Sequence, residues 1–361
     1  MTNNLFPYEW KIADGYPAAS VKPNGKTVFS CFACGGGSTM GYKMAGYTVL
    51  GCNEIDPKII EVYKENHHPK YSYCEGIQQF KDRDDLPAEL YDLDILDGSP
   101  PCSSFSMAGA REKDWGKEKK FKEGQSKQVL DTLFFDFIDL AQKLKPKVVV
   151  AENVEGLMFG AARDYVKRIL SEFDKAGYYI HYFLLDASSM GVPQKRKRVF
   201  FIGLRKDIAE PLLEQVDLFT KYPTIKLDFK QAPIAFKYIE EKTNDRPELS
   251  PSYLEKWHGC KLGSNPKVER TGNTFGFFYK THPDKVLPTI TGGGTNTHYY
   301  IPGKLTTREL TLAGSFPLDY NFLTVDPQYL IGMSVPPVMV ACIANQIYEQ
   351  WLSKVEELAY A

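Results

Sequence analysis

The stretch "TVFSCFACGGGSTMGYKMAGY", residues 27–47, decides the fold. An apolar run over 27–32 predicts a strand, and the glycines that follow predict a turn before a helix. Such a turn lets the backbone approach a ligand closely at a helix N-terminus. The next apolar run ends in "NEID", in which Glu54 lies about 20 residues beyond the turn, where an acid commonly binds ribose hydroxyls. This order predicts an α/β fold that binds an adenosine-containing cofactor.

The same alternation continues outward from this stretch through the first two-thirds of the chain. Seven apolar runs predict strands, at 27–32, 47–52, 70–74, 93–96, 147–151, 178–185 and 198–204. Helical spacing of apolar residues marks 57–66, the run from Val129 to Leu144, and 166–173 before Gly177. Alternating strands and helices imply a parallel sheet covered on both faces, with ligands at the carboxyl ends of its strands.

A second, smaller domain is predicted where this alternation stops, after about Arg205. Residues 206–300 are rich in Pro, Gly, Lys and aromatic residues and show no sustained periodicity. Apolar residues from Ala341 to Leu358 again follow helical spacing, behind "VPP" at 335–337. We expect this helix to pack on the first domain. The predicted domains are therefore 1–205 with 301–361, and an insertion at 206–300.

Composition indicates a soluble protein. Of the 361 residues, 43% are hydrophobic and 25% are charged. No apolar run approaches the roughly 18 residues of a membrane span, and the start has no secretory segment, so a cytoplasmic protein is expected. Seven scattered cysteines favour reduced thiols. Cys31 and Cys34 form a C-x-x-C without a second pair at zinc spacing, so no metal site is predicted.

Local charge is more informative than the net charge of −1. Residues 107–127 carry seven Lys/Arg and four acids, a net of +3, and "QKRKR" at 194–198 carries four bases. Either cluster could be a solvated loop or a contact for a polyanion.

The glycine-rich turn does not complete the dinucleotide fingerprint. Gly35 and Gly37 are followed by Met40 where G-x-G-x-x-G needs its last glycine, and Gly41 is one position late. This disfavours an oxidoreductase with a nicotinamide cofactor and favours another nucleoside cofactor, such as S-adenosylmethionine.

A cysteine lies just past the fourth predicted strand, in "GSPPCSSFS" at 98–106. Pro100 and Pro101 stiffen the chain that leads to Cys102. A strand-end cysteine can be a buried packing residue, or a nucleophile where nearby cations favour the thiolate. Both readings stay open on this stretch alone.

Two more groups of polar residues are predicted at the same sheet edge. The fifth strand ends in "AENVEG", which delivers Glu152 and Asn153 there. A carboxyl group in a closed pocket can donate a proton, although Asn153 could instead cap the following helix. Period-two spacing at the seventh strand would place Gln194, Arg196 and Arg198 on one face, where arginine suits phosphate or a polarised carbonyl.

The ordered set "FACGGG", "NEID", "GSPPCSSFS", "ENV", "GVPQKRKR", "RELTLAGSFP" and "LIGMSVPP" resembles the motif series of the DNA cytosine-5 methyltransferases of the bacterial or phage modification type. The resemblance covers nearly the entire chain apart from the first 26 residues and the insertion. It implies a Rossmann-like S-adenosylmethionine-dependent methyltransferase sheet with an inserted target-recognition domain. It also implies double-stranded DNA as the partner of a monomeric enzyme, and a restriction endonuclease as a functional counterpart.

The resemblance implies roles for the matching residues. Cys102 would attack cytosine C6, Glu152 would hold or protonate N3, and Arg198 with Arg196 would steady the base carbonyl and the backbone. The implied cofactor contacts are Phe32, Ala33, Gly35, Gly36, Gly37, Glu54, Ile55, Ile77, Pro100, Ser334 and Val335. The implied DNA contacts are Ser104, Ser106, Gln194, Thr289 and Thr291.

The net-positive segment 107–127 fits this reading, because a base must leave its stack before it can react and something must cover the gap. The segment directly follows Cys102 and holds three glycines, so it could close over DNA as a lid. The chain departs from the family pattern at four positions, namely Cys34, Gly76, Ser103 and Met333.

Two alternatives follow from the same resemblance. A member of this family could methylate cytosine in tRNA, and a homologue that lost cofactor binding could be a catalytically silent DNA-binding protein. Methyl transfer to DNA and tRNA separates the first from the DNA enzyme, and cofactor binding tests the second.

Overall fold

A computed structural model describes residues 9–16, 21–101, 118–119, 128–129, 132–159, 162–266 and 278–355, with backbone only at 118–119 and 128–129. Its main feature is a seven-stranded sheet. The strands are β1 Thr27–Cys31, β2 Thr48–Asn53, β3 Tyr71–Tyr73, β4 Ile95–Gly98, β5 Val148–Val154, β6 Tyr178–Asp186 and β7 Lys197–Arg205. All seven predicted strands are confirmed, with ends that differ by up to three residues.

The helices between these strands follow the predicted alternation. They are α1 Gly37–Met44, α2 Pro57–His67, α3 Ile77–Lys81, α4 Leu133–Leu144 and α5 Ala162–Lys175. Helix α2 begins as expected, with Pro57 in its first turn and Asp56 as a cap that accepts from the backbone N–H groups of Lys58 and Ile59. Helix α4 starts at Leu133 and not at Val129, because the backbone of Val129 pairs with Glu118 in the short strands Glu118–Lys119 and Gln128–Val129.

The strand order is β3-β2-β1-β4-β5-β7-β6. Strands β1 to β5 pair in parallel, but β7 runs antiparallel to β5. The prediction of a wholly parallel sheet is therefore wrong at this end. The cause is the short connection from Asp186 to Lys197, which holds only the single turn Ala187–Ser189, whereas a parallel crossover needs about a dozen residues.

The core of the sheet lies between its strands and the aromatic faces of α4 and α5. Phe134, Phe137 and Phe173 are buried there against Val149 and Phe201. The rings of Phe134 and Phe201 meet edge to face at 5.4 Å, a favourable arrangement for aromatic pairs. Burial of these rings holds the central strands in place and thereby fixes the edge at which they end.

The chain divides into two compact units. The sheet unit contains the described residues of Val21–Leu185, Lys197–Asp228 and 340–355, and the smaller unit those of 9–16, Asp186–Arg196 and Phe229–Met339. The predicted insertion, 206–300, does not coincide with the smaller unit, whose longest segment is Phe229–Met339. The C-terminal segment contacts the sheet unit, since Tyr47 donates to the Ala344 carbonyl and Trp351 to the Thr224 carbonyl.

The remaining elements are short. The strands are β8 Leu213–Gln215 with β9 Lys221–Pro223, and β10 Phe278–Lys280 with β11 Thr295–Thr297. The helices are α6 Pro251–Gly259, α7 Thr307–Ala313, α8 Pro327–Met333 and α9 Pro337–Ile347, the last followed by a π-turn, Tyr348–Leu352. Single 3-10 turns occur at Ile12–Asp14, Ala88–Tyr91, Glu155–Met158, Ala187–Ser189, Lys206–Ile208, Glu210–Leu212 and Phe236–Tyr238.

One stretch, Pro327–Val355, is long and apolar enough to cross a membrane by length and composition alone. The expectation concerned unbroken apolar runs, and polar residues such as Ser334, Asn345 and Gln346 interrupt this stretch. In the structure 83% of its apolar window is buried within the protein, as in the core helix of a soluble protein.

Candidate active site

The candidate site lies in the sheet unit, where four parallel strands end at one edge. Cys31 of β1 is opposite Asn53 of β2 and Gly98 of β4, and Gly98 is opposite Ala151 of β5. Because β7 is antiparallel, it begins at this edge, with Arg198 opposite Val154. The residues that follow β1, β2, β4 and β5 therefore lie at the same edge of the sheet as the first residues of β7. Ligands of α/β sheets bind at this edge.

The glycine-rich turn after β1 has an unusual backbone. Phe32, Cys34 and Gly36 have φ values of 52°, 47° and 80°, so left-handed residues alternate along the turn. Left-handed φ is uncommon for non-glycine residues, and such strain clusters at ligand-binding sites. Alternating handedness turns successive N–H groups towards one side. The Cys34 N–H donates to Glu54 Oε2 (2.9 Å), which ties this turn to the end of β2.

His67, at the end of α2, contacts the glycine-rich turn. Its Nε2 lies 3.1 Å from the Gly35 carbonyl oxygen, and its ring fills the space beside the Gly36 Cα. Burial, reinforced by the nearby Lys43 ammonium, lowers the pKa of His67 to about 3. The imidazole is therefore neutral at physiological pH and can donate from Nε2 to Gly35. Sequence reasoning missed this residue, because its contact depends on how α2 packs.

Gly36→Ala is expected to weaken S-adenosylmethionine binding. An added Cβ would overlap the buried His67 ring, and the left-handed φ adds strain. Overpacking of this kind costs about 1–3 kcal/mol. If the turn moves to relieve it, Kd should rise about 5- to 150-fold. Isothermal titration measures the change. Gly177→Ala is the matched control, since Gly177 has a similar φ of 94° with nothing within 4 Å. Equal binding by both variants and the wild type would contradict the prediction.

The end of β2 offers a site for the nucleoside part of a cofactor. Glu54 is buried and accepts from the N–H groups of Cys34 and Asp56. Burial raises the pKa of Glu54, and these N–H groups partly oppose the rise. A carboxyl group here fits ribose hydroxyls. Apolar atoms lie beside Gly76, because the Ile55 Cδ1 is 3.6 Å from the position that a Cβ of Gly76 would take. Ile77 is buried beside Gly76.

Gly76, one of the departures from the family pattern, leaves space that glutamine side chains fill. The Oε1 atoms of Gln79 and Gln78 lie 2.5 Å and 3.1 Å from the position of a Gly76 Cβ. A side-chain acceptor oxygen is thus present near Gly76, although Gly76 itself has no side chain to supply one. The donors and acceptors around Glu54 and Gly76, with the isoleucine side chains, fit an adenosine group.

The chain that leads to Cys102 is anchored to the end of β5. Pro100 is buried, and its carbonyl oxygen accepts from the Asn153 Nδ2 (3.1 Å). The Asn153 Oδ1 accepts from the next N–H, that of Val154, so its amide does not cap a following helix. Cys102, Ser103, Ser104 and Ser106 lie outside the described residues, as does most of the predicted lid, 107–127.

Glu152 and Arg198 lie at one sheet edge, where they form an ion pair that the sequence did not predict. The Arg198 Nε lies 2.8 Å from Glu152 Oε1, and the two side chains are 13% and 11% exposed. Burial lowers the pKa of Arg198, while the Glu152 carboxylate opposes this by favouring the charged guanidinium. Arg198 also donates to the Lys197 carbonyl. The arginine therefore holds the Glu152 carboxyl group in one orientation at the strand ends.

Gln194 and Arg196 have a different setting from Arg198. They precede β7, which begins at Lys197, so the predicted strand-face arrangement does not extend to them. Both are buried in the smaller unit. The Arg196 guanidinium donates to the carbonyls of Ile290, Gly332 and Ser334, and the Gln194 amide bonds the Ile290 N–H and the Ala313 carbonyl. Their predicted contacts with the base and the DNA stay predictions.

The other predicted site residues of the smaller unit are Thr289, Thr291, Ser334 and Val335. The Thr289 hydroxyl donates to the Lys195 carbonyl (2.8 Å), and the Thr291 carbonyl accepts from the Gly294 N–H. Ser334 and Val335 are buried, whereas Met333 is 45% exposed. The Ser334 hydroxyl donates to the Leu330 carbonyl at the end of α8. The contacts of Thr289, Thr291, Ser334 and Val335 with ligands stay predictions.

Comparison with known proteins gives a consistent result. Residues 26–349 match the family described as C-5 cytosine-specific DNA methylase. The chain is 31% identical over 349 residues to the Type II methyltransferase M.NgoPII of Neisseria gonorrhoeae, covering 90% of this chain and 96% of that protein. It is 29% identical over 352 residues to M.FnuDI of Fusobacterium nucleatum, covering 91% and 95%.

A solved structure shares the fold. It is that of a candidate DNA modification methyltransferase encoded within a prophage (E. coli), with a TM-score of 0.66 and 20% identity. The match covers 90% of this chain and 99% of that one.

Proposed function

The chain belongs to the C-5 cytosine-specific DNA methylases, and from this premise we propose how its own residues methylate DNA. S-adenosylmethionine is the methyl donor of this family, and when bound it supplies an electrophilic methyl group. The observation that carries the proposal is the buried Glu152–Arg198 pair at the edge from which the chain continues to Cys102. Glu54, with the glycine-rich turn and the isoleucines beside Gly76, would hold the adenosine part of the donor.

We propose the following roles around the cytosine. The Cys102 thiolate forms a bond to C6 while Glu152, protonated in the substrate complex, gives its proton to N3, so that the electron pair moves towards C5. C5 then takes the methyl group, whose former bond to the donor sulfur breaks and leaves its electron pair on the sulfur. A base then removes the C5 proton, the C6–sulfur bond breaks, and the thiolate leaves as N3 returns its proton to Glu152. Arg198 orients Glu152 throughout, and Arg196 acts as a positioning residue within the smaller unit.

The proposal extends to the setting of the reaction. DNA is the substrate that the family implies. The relatives M.NgoPII and M.FnuDI are named Type II methyltransferases, which supports a place in a restriction–modification system with a separate endonuclease as counterpart. We propose a cytoplasmic monomer whose smaller unit, with Thr289 and Thr291, reads the DNA sequence. Bisulfite sequencing of DNA from cells that express the protein would identify the modified base and its context.

Cys102→Ala is expected to abolish covalent capture of DNA and to lower methyl transfer on the order of 10³-fold or more, because no other group replaces a lost nucleophile. The capture assay uses duplex DNA in which every cytosine carries fluorine at C5, so that the recognition sequence need not be known. Fluorine cannot leave as a proton, and the protein stays bound after denaturation.

The control is Cys74→Ala, which removes an exposed thiol of the sheet unit and should leave capture unchanged. Capture by the Cys102→Ala protein would contradict the assigned nucleophile. A parallel assay with tRNA tests the RNA alternative, since transfer to tRNA in preference to DNA would overturn the assigned substrate.

A further inference from the structure

Asp97 is a buried acid that joins three elements of the candidate site. It lies in β4, opposite Ser30 of β1, and is 3% exposed. The Ser30 hydroxyl donates to Oδ2 (2.8 Å) and the Tyr42 hydroxyl to Oδ1 (3.1 Å). Tyr42 belongs to α1, the helix that follows the glycine-rich turn. One carboxyl group therefore links the strand before the turn, the helix after it, and the strand that leads towards Cys102.

Among the described residues, hydroxyl donors and no cationic side chain contact the Asp97 carboxyl group. Burial raises the pKa of Asp97 to about 7; the hydroxyls of Ser30 and Tyr42, and to a smaller extent Ser38, oppose the rise, and Glu152 adds to it. In the described part of the chain, Cys31 of β1 and Tyr42 of α1 also face it, and burial and Asp97 raise the pKa of both. Within the described part of the chain no cationic side chain pairs with Asp97. A cation arriving nearby would therefore favour its ionised form.

The donor and the product of methyl transfer differ by one such charge. S-adenosylmethionine carries a sulfonium cation, whereas S-adenosylhomocysteine has a neutral thioether. Their ribose and adenine groups are identical, so the contacts proposed for Glu54 and the region around Gly76 do not distinguish them. A group that responds to the sulfonium charge does distinguish them.

We propose that Asp97 is a positioning residue that releases a proton when the cationic methyl donor binds and recovers a proton when the neutral product remains. This rests on the proposed function, because it requires a cofactor at the glycine-rich turn. The released proton passes to solvent. With Asp97 ionised, attraction for the sulfonium favours donor over product. With Asp97 protonated, that preference is lost. The ratio of product Kd to donor Kd should therefore rise with pH, about tenfold for each pKa unit by which the donor stabilises the carboxylate.

Calorimetric titration of the full chain at pH 7, in phosphate and in Tris, tests this. The two buffers differ in ionisation enthalpy, so the difference in binding heat counts the protons exchanged. The wild type should release a measurable fraction of a proton with S-adenosylmethionine and less with S-adenosylhomocysteine. Asp97→Asn should bind both ligands and lose this difference. Glu54 is common to both titrations, and its contribution cancels between the two ligands.

Equal release with both ligands, or an unchanged difference in Asp97→Asn, would overturn the proposal. If Asp97→Asn does not fold, Tyr42→Phe decides instead. Loss of the hydroxyl donor should move the pH of maximal release upwards, and an unmoved maximum counts against Asp97. Absence of S-adenosylmethionine binding by the wild type would contradict the proposed function itself, which keeps the two failures distinct.

Discussion

Replacing Glu152 by glutamine is expected to lower kcat for DNA methylation by about 10²- to 10⁴-fold, the usual contribution of general acid catalysis. Glutamine keeps the size of the side chain and can still bond cytosine N3, but it has no proton to transfer. Cofactor binding should stay within about twofold of the wild type, because the role proposed for Glu152 is in catalysis and not in binding the adenosine group. Methyl transfer under single-turnover conditions and calorimetric titration measure the two quantities.

The geometry makes this substitution informative. Arg198 donates to the Oε1 atom of Glu152, and no group among the described residues donates to its Oε2 atom. One oxygen is thus oriented by the arginine while the other can meet a substrate. Glutamine would also leave the Arg198 charge without its carboxylate, so thermal unfolding must be followed alongside activity.

Glu155→Gln provides the matched control. Glu155 is the next acid along the chain, its contact with Lys197 is longer, at 3.6 Å, and both side chains are partly exposed. Exposed pairs of this kind contribute little, about 0–1 kcal/mol. The control should keep wild-type turnover. A Glu152→Gln enzyme with unchanged kcat, or one that loses cofactor binding instead, would remove Glu152 from the proposed role.

The central strands were predictable because they are buried apolar runs bounded by turn residues, whereas β3 and β6 are only partly buried. Val148 to Ala151 is one such run, and every residue in it is buried. The direction in which β7 runs was not predictable in the same way. Whether β7 runs parallel or antiparallel depends on what the connection before it can form, and residues 187–196 hold too little chain for a crossover helix.

The site was predictable where it depends on strand ends and not where it depends on packing. Glu152 follows from the rule that parallel strands end at one edge, whereas Arg198 begins its strand and reaches this edge only because β7 is antiparallel. Asp97 and Ser30 are 67 positions apart, and only the register of β1 with β4 brings them together. The acid in "ILDG" was the visible signal, but nothing in the sequence identifies its partners.

The largest stability effect is expected in the smaller unit, at Arg246 and Glu309. Their side chains are 1% and 0% exposed. Two hydrogen bonds join them, NH1 to Oε2 (2.7 Å) and NH2 to Oε1 (2.9 Å). Glu309 also accepts from the N–H groups of Glu241 and Thr306, the second as part of the capping box of α7. Removing one partner of a buried pair typically costs about 3–5 kcal/mol, since the other charge stays buried.

The two single substitutions should not be equivalent. Arg246→Met leaves the carboxylate with two backbone donors at a helix N-terminus, where negative charge is favoured. Glu309→Gln leaves a buried guanidinium without its balancing charge: one amide oxygen can still accept, but the new NH2 group faces donors of Arg246 and of the backbone. We therefore expect Glu309→Gln to lower the free energy of unfolding more than Arg246→Met does.

The double variant Arg246→Met with Glu309→Gln should be more stable than the sum of the two single losses implies, because no charge then remains buried without a partner. Urea unfolding followed by tryptophan fluorescence measures all four proteins, since the smaller unit contains Trp10 and Trp257. Additive losses would mean that the two side chains do not stabilise each other. The order of the single variants then separates two causes. A larger loss of unfolding free energy for Arg246→Met would indicate that an unpaired carboxylate at the start of α7 costs more than an unpaired guanidinium.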